Sequence, residues 1–378
     1  MNIRYMLIIG LILLTTSITG CNRTKESPLA GRVHAGTPIP DSAMTMLLEQ
    51  YRVPGASIAV IRNGNIEWAR GYGVIENGKP ERIDTSTLFQ AASISKPISA
   101  VAALRMIDRG YLQLDEDVNL KLRSWKVPKN PFFKEHSITL RMLLSHSAGL
   151  SMHGVPEFSE GTTIPTLVEI LDGKSPMSRD SVRVVIEPGT AYRYSGGGYI
   201  VLQILMTDVS GRSFDDLALE YVLKPEGMHS STFSQPLPEN LHARAAVGHL
   251  ASGKRIAGRW HTLPEQATGG LWTTPSDLAR FAIGLWKSYH GKSSVLLPQK
   301  LAQEMLTRRI GDFGLGLYLP SAGAPRFSHG GANGGYRCHF VLSISSGDGL
   351  VVMTNGDAGE KVLDELLSAI GRAYGWFN

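Results

Sequence analysis

The segment FQAASISKPISA, Phe89 to Ala100, crowds three serines around one lysine at the start of an apolar run. Two readings fit it. From Ser93 to Gly110 the apolar residues recur at helical spacing, and Gly110 can end such a helix. The same stretch also reads as a nucleophile with its base. Ser93-Ile94-Ser95-Lys96 is the only Ser-x-x-Lys in the chain, and residues three apart share a helix face, so Lys96 can reach the Ser93 hydroxyl. A helix start directs N–H groups and positive potential at an incoming carbonyl oxygen. A lysine kept from water loses enough basicity to accept a proton. The tetrapeptide alone leaves the choice open.

The rest of the chain narrows it. With 378 residues, 43% hydrophobic and 19% charged, the composition is that of a globular protein with room for one large domain or two packed ones. The net charge of +5 is mild. No dense Lys/Arg run is interleaved with aromatics, which weighs against nucleic-acid binding. The amino-terminal MNIRYMLIIGLILLTTSITGC pairs Arg4 with an apolar run too short to span a bilayer, so residues 1–20 read as a signal peptide. Ile18-Thr19-Gly20-Cys21 resembles the lipobox of bacterial lipoproteins, which implies lipidation of Cys21. Asn22 then favours an outer-membrane anchor facing the periplasm. Residues 21–40 hold three Pro, two Gly and two Thr and read as a tether. The other cysteine, Cys338, has no disulfide partner if Cys21 carries lipid. It lies in an alternating run and reads as a small packed hydrophobe.

Strand character marks both ends. Residues 55–73, GASIAVIRNGNIEWARGYG, alternate around Asn63-Gly64 and read as a hairpin. RFSHGG, YRCHFVLSIS and LVVMTN are further strands, with a Gly347-Asp348-Gly349 turn before the last. Asp41 or Ser42 can open a helix, Thr274-Pro275 another, and a last one covers about residues 361–374. These elements predict an α+β fold. One antiparallel sheet is built from both termini and flanked by helices, with a mainly helical region inserted. The domain spans 41–378.

Phe89 to Lys96 resembles the first signature of the penicillin-recognising serine hydrolases. The resemblance is to the branch of class C β-lactamases, His-x-Gly-type D-alanyl-D-alanine carboxypeptidases and β-lactamase-like esterases, and it extends from about Ala43 to the carboxyl terminus. ITLRMLLSHSAGL (Ile138–Leu150), PGTAYRYSGGGYIVL (Pro188–Leu202), KPEGMHSSTF, ATGGLWTTPSDLARF and FSHGGANGGY (Phe327–Tyr336) follow in the family's order. The resemblance implies the β-lactamase/transpeptidase-like fold, with Ser93 as acylated nucleophile, Lys96 as proton acceptor and Tyr194 as proton relay. It makes His329 the third-motif residue, able to contact a substrate carboxylate or the Tyr194 oxygen. Gly330 and Gly331 would let substrate lie against their strand. Backbone N–H groups of Ser93 and Ala332 would form the oxyanion hole.

Two departures matter. The second motif usually reads Tyr-x-Asn, whereas here it is Tyr194-Ser195-Gly196. Ser195 or a water is left to contact substrate in place of the amide. His329 stands where class C β-lactamases carry lysine, so a carboxylate would be held more weakly or in a pH-dependent way. Both favour a peptidase or esterase over a dedicated β-lactamase. The expected substrates are D-amino-acid peptides or small esters. The rival readings are a β-lactamase and a non-catalytic penicillin- or cell-wall-binding lipoprotein. No metal or organic cofactor is implied. Ser145-His146 with Asp108 or Asp115 suggests a triad, but the stretch reads better as a helix end and turn. His153 and His249 read as surface or packing residues.

Overall fold

The computed structural model describes residues 27–133, 137–176 and 180–376. The signal-peptide and lipidation readings, Cys21 included, lie outside them. A five-stranded antiparallel sheet runs β2-β1-β7-β6-β5 among the described residues. It uses β1 (Gly55–Arg62), β2 (Asn65–Gly73), β5 (Arg326–Asn333), β6 (Tyr336–Ser343) and β7 (Gly349–Thr354). The first two and last three strands thus meet at the β1–β7 pair, from Ala56↔Thr354 to Ile61↔Gly349. The expected hairpin is present: Asn63 and Gly64 both hold positive φ, 50° and 69°, as a two-residue turn between twisted strands demands.

Alternation along β1 explains the layering. Ile58 and Val60 face helices α1 (Asp41–Tyr51) and α11 (Gly359–Tyr374), among Leu47, Leu366 and Ile370. Ala59 and Ile61 face the opposite way, into the larger core that contains Phe281, Leu285 and Phe340. There α9 (Pro275–Tyr289) packs, capped as expected by Thr274, whose hydroxyl accepts the Asp277 N–H. Between the sheet halves come α2 (Ser95–Asp108), α3 (Val118–Lys121), α4 (Leu140–Leu144), α5 (Leu167–Leu171), α6 (Gly196–Ser210), α7 (Phe214–Ala218), α8 (Gln266–Gly269) and α10 (Gln299–Met305). A short ribbon, β3 (Phe89–Gln90) with β4 (Trp272–Thr273), ties the start of α2 to the region after α8.

Two boundary readings need correction. The tether does not extend to residue 40. From Ser27 the chain is packed, because Leu29 and Ile39 supply apolar anchors that are almost fully buried. Ser27 hydrogen-bonds Glu365 and the Gly36 N–H donates to the Tyr374 hydroxyl, fastening the segment to α11. Helix α1 begins without a side-chain cap; Asp41 is its first residue and pairs with Arg70 instead.

Candidate active site

Ser93 lies in a 3₁₀ turn, Ala92–Ile94, that leads into α2. Ala92 holds φ at 48°, a left-handed conformation that costs a residue with a Cβ and persists only where neighbours enforce it. Ser95 enforces it from below: its hydroxyl donates to Ala92 O at 2.7 Å and accepts the Leu271 N–H at 3.0 Å. Strands β5 and β6 enforce it from the side. The Cys338 thiol donates to Ala91 O at 3.0 Å. A Cβ on Gly331 would stand 2.2 Å from that same carbonyl and 2.6 Å from Cys338 Sγ, so only glycine lets the strand lie this close. Cys338 is therefore a packed thiol, and burial pushes its pKa up.

Lys96 is 1% exposed. Its Nζ stands 3.0 Å from Ser93 Oγ and 2.9 Å from the carbonyl of Thr268 in α8. Burial lowers its pKa to about 7. The amine can therefore lose its proton near neutrality, leaving a lone pair able to accept from the serine. Tyr194 lines the cleft with Ser93, and its ring centroid lies 5.0 Å from Lys96 Nζ. Burial raises the Tyr194 pKa to about 12, with the nearby Ser93 hydroxyl opposing. The phenol therefore keeps its proton at neutral pH and can donate it.

His329 sits on β5, almost fully buried. Its Nδ1 is 2.6 Å from Gly330 O. A carbonyl only accepts, so Nδ1 carries the proton and Nε2 bears the lone pair. That Nε2 is buried without a hydrogen-bond partner. Burial first, and the Lys96 charge second, lower the His329 pKa to about 3. The imidazole is neutral at any working pH. Of the two expectations, a weaker or a pH-dependent grip on a substrate carboxylate, the neutral ring fits the weaker one, since it offers a lone pair and no charge.

Ala332 faces the cleft with its backbone. Ser328 exchanges both of its backbone bonds with Tyr318 on the open side of β5, each 3.0 Å. Backbone direction repeats every second residue along a strand, so the Ala332 N–H opens to the same side. Ser93, Tyr194, His329, Gly330, Gly331 and Ala332 all line one cleft of about 760 Å³. At Gly330 a Cβ would make only ordinary contacts, 3.5 Å to His339 Nδ1 and 3.8 Å to Cys338 O. The two glycines therefore differ: Gly331 sets the strand's approach, and Gly330 leaves open space.

Ser195 does not join them. It is the N-cap of α6, its hydroxyl accepting the Gly198 N–H and donating to Ser151 O at 2.6 Å. The substrate contact expected of it is replaced by this capping role. The missing asparagine also has a physical cause. Met152 O and His153 O accept the Gly197 and Gly196 N–H groups, laying the 151–155 loop across the first turn of α6. A Cβ at Gly196 would lie 2.9 Å from His153 O and 3.0 Å from Val155 Cγ1. The loop occupies the room a longer residue would need.

That loop also brings in a residue the sequence reading set aside. His153 lines the cleft, its ring 4.8 Å from that of Tyr194. Tyr192 and Tyr318, whose hydroxyls are 3.0 Å apart, were missed as well, as were Glu360 and Asp364 of α11. No local pattern marks these residues; they meet only through the fold. His249 is a packing residue, buried between Asn355 O and the Asn77 N–H. The Ser145-His146 triad does not form. Ser145 Oγ donates to Arg141 O, Asp115 is held by Arg141 and Asp108 by Arg105.

Comparison with known proteins gives the family and the fold. The family model described as Beta-lactamase matches residues 40–373. Penicillin-binding protein 4 of Amycolatopsis lactamdurans is 27% identical over 339 residues, covering 85% of each chain. The octameric penicillin-binding protein homologue from Pyrococcus abyssi superposes with a TM-score of 0.73 at 22% identity, over 89% of this chain and 76% of that one. EstCE1, a hydrolase with promiscuous acyltransferase activity, gives 0.71 at 20% identity, over 91% and 98%. These solved structures share the β-lactamase/transpeptidase-like fold, the fold expected from the sequence. The chain belongs to the β-lactamase family of serine hydrolases.

Proposed function

We propose that the cleft hydrolyses esters or uncharged amides through an acyl-enzyme on Ser93. The observation that carries this reading is the buried Lys96 amine, poised near neutrality and 3.0 Å from Ser93 Oγ. In acylation, Ser93 Oγ attacks the substrate carbonyl carbon as its proton passes to Lys96. The oxyanion is held by the Ser93 and Ala332 N–H groups. As the bond to the leaving group breaks, the Tyr194 phenol protonates the departing oxygen or nitrogen and recovers a proton from Lys96. Water then attacks the acyl carbon, giving its proton to the Tyr194–Lys96 pair, and the Ser93 oxygen leaves reprotonated. No metal or organic cofactor enters any step.

The walls favour an uncharged leaving group. His329 is neutral, and α11 contributes Glu360 and Asp364 to the cleft. Arg337 on the same wall is held by Asp357 and by the carbonyls of Asn333 and Tyr336. A free carboxylate, as on D-Ala-D-Ala, gains little there. Gly196 offers no amide to hold a β-lactam's acyl-amide chain. The test is turnover of a chromogenic ester, a D-Ala-D-Ala peptide and a β-lactam by wild type and Ser93→Ala. Ester turnover lost in Ser93→Ala, with a Ser93 adduct by mass spectrometry, is the expected result. Equal rates in both proteins would overturn it. A stable penicillin adduct without turnover of any substrate would favour the non-catalytic binding reading instead. We also propose, from Ile18 to Cys21 alone, that the chain is lipid-anchored in the cell envelope; fatty-acid labelling lost in Cys21→Ser tests this.

A further inference from the structure

We infer that His146 is the residue that positions Tyr194, a role that rests on the acyl-enzyme reading above. Tyr194 belongs to neither helix nor strand; it sits in the extended segment before α6. A proton relay on a loop works only if its neighbours fix it. His146 holds the segment on both sides of the tyrosine. Its carbonyl accepts the Arg193 N–H at 2.7 Å, and its ring Nδ1 accepts the Ser195 N–H at 3.1 Å. Between those two bonds its ring lies against the Tyr194 ring, centroids 4.2 Å apart and planes inclined by 33°.

The cost of this arrangement is visible in the same residue. His146 holds φ at 54°, in the left-handed region where histidine and asparagine are enriched but most side chains are not. Since Nδ1 accepts a backbone N–H, the ring proton is on Nε2. That nitrogen is buried with no hydrogen-bond partner. A strained backbone and an orphaned donor in one buried residue point to a function that fixes it there. The ring is also kept neutral, by burial first and then by the Lys96 charge, so Nδ1 stays an acceptor across the working range. His146 makes no hydrogen bond to Ser93 or Lys96 among the described residues, so it acts through Tyr194 and is not itself catalytic.

The test is a double-mutant cycle on ester turnover. His146→Asn keeps a residue that tolerates the left-handed backbone and a side-chain acceptor, and removes the ring. It is expected to lower kcat about 10- to 30-fold with KM changed less than about twofold, as displacement of a proton-transfer group does. Tyr194→Phe alone is expected to lower kcat about 100-fold or more. In the Tyr194→Phe background, His146→Asn should then cost less than about twofold further. Losses that multiply, or a change confined to KM, would overturn the inference. If His146→Asn melts below the assay temperature, the same cycle with His146→Gln decides by the same criteria. Ser93→Ala is run alongside. Wild-type rates there would remove the acyl-enzyme reading, whereas Ser93-dependent turnover with multiplicative losses would remove only the role of His146.

Discussion

Two serine-bearing turns in this chain have similar local sequences and opposite fates. Ser93 has Lys96 one helical turn ahead; Ser145 is followed at once by His146. In the folded chain the Ser93 hydroxyl meets Lys96 and Tyr194, both able to move a proton. The Ser145 hydroxyl donates to Arg141 O at 2.8 Å and shares a second bond with Ser147 Oγ at 2.9 Å. His146 spends its accepting nitrogen on a backbone N–H. On the proposed acyl-enzyme reading the first turn keeps its hydrogen bonds for chemistry, whereas the second uses them to hold the chain. A nucleophile is recognised by where its hydroxyl's bonds end, which spacing in the sequence cannot state.

The largest effect should fall on the first turn alone. Ser93→Ala should lose at least about 10³-fold in ester turnover, while Ser145→Ala should stay within about threefold, since its lost bonds are to backbone and a neighbouring hydroxyl. Initial rates with one chromogenic ester check both. A comparable loss in the two variants would erase the distinction between the turns.

Next is the base. With Lys96 brought to about 7 by burial, kcat/KM should rise with pH through an apparent pKa near 7 and level off above it. Lys96→Arg, which keeps its charge at every pH, should lose about 10²- to 10⁴-fold and the acid limb with it. The same lysine should weigh on stability. Its folded pKa lies below the unfolded value near 10.5, so between about pH 7 and 10.5 the unfolded chain binds more protons and stability rises with pH. Lys96→Met should therefore gain on the order of 1–3 kcal/mol at pH 6, shrinking as the pH approaches 10, by chemical denaturation. A pH-independent difference would mean that the lysine is not desolvated as the geometry requires.

The sheet was legible because its pattern is local. Alternation in Gly55–Gly73 and Tyr336–Ser343, the Asn63-Gly64 turn and the Thr274-Pro275 cap each carry their own signal. Ser93, Lys96, Tyr194 and His329 were legible through the family's motifs, and the fold brings them to one place. Ser195 was misread because a motif position says nothing about which backbone groups need a cap. His153, Tyr192, Tyr318 and Asp364 were invisible for the opposite reason: they belong to loops and a helix face that become neighbours only when β5 lies beside Ser93. The 27–40 segment misled by composition, since two buried anchors, Leu29 and Ile39, and hydrogen bonds to α11 pin it.

The finest comparison lies within two adjacent glycines. At Gly331 an added methyl would enter the space of Ala91 O and Cys338 Sγ, 2.2 and 2.6 Å away. Neither is the free end of a flexible chain, so β5 or the Ser93 turn must move. Moving a nucleophile by about 1 Å costs on the order of 10²-fold, and Gly331→Ala should show it in kcat together with a lowered melting temperature. At Gly330 the same methyl meets only contacts of 3.5 and 3.8 Å. Gly330→Ala should leave kcat within about twofold, and any change should appear in KM, because the methyl enters open cleft rather than the packing behind Ser93. Reversal of the two outcomes would show that the approach of β5 to Ala91 is not what holds the nucleophile in place, and that the strand's outer face matters more than the one pressed against the turn.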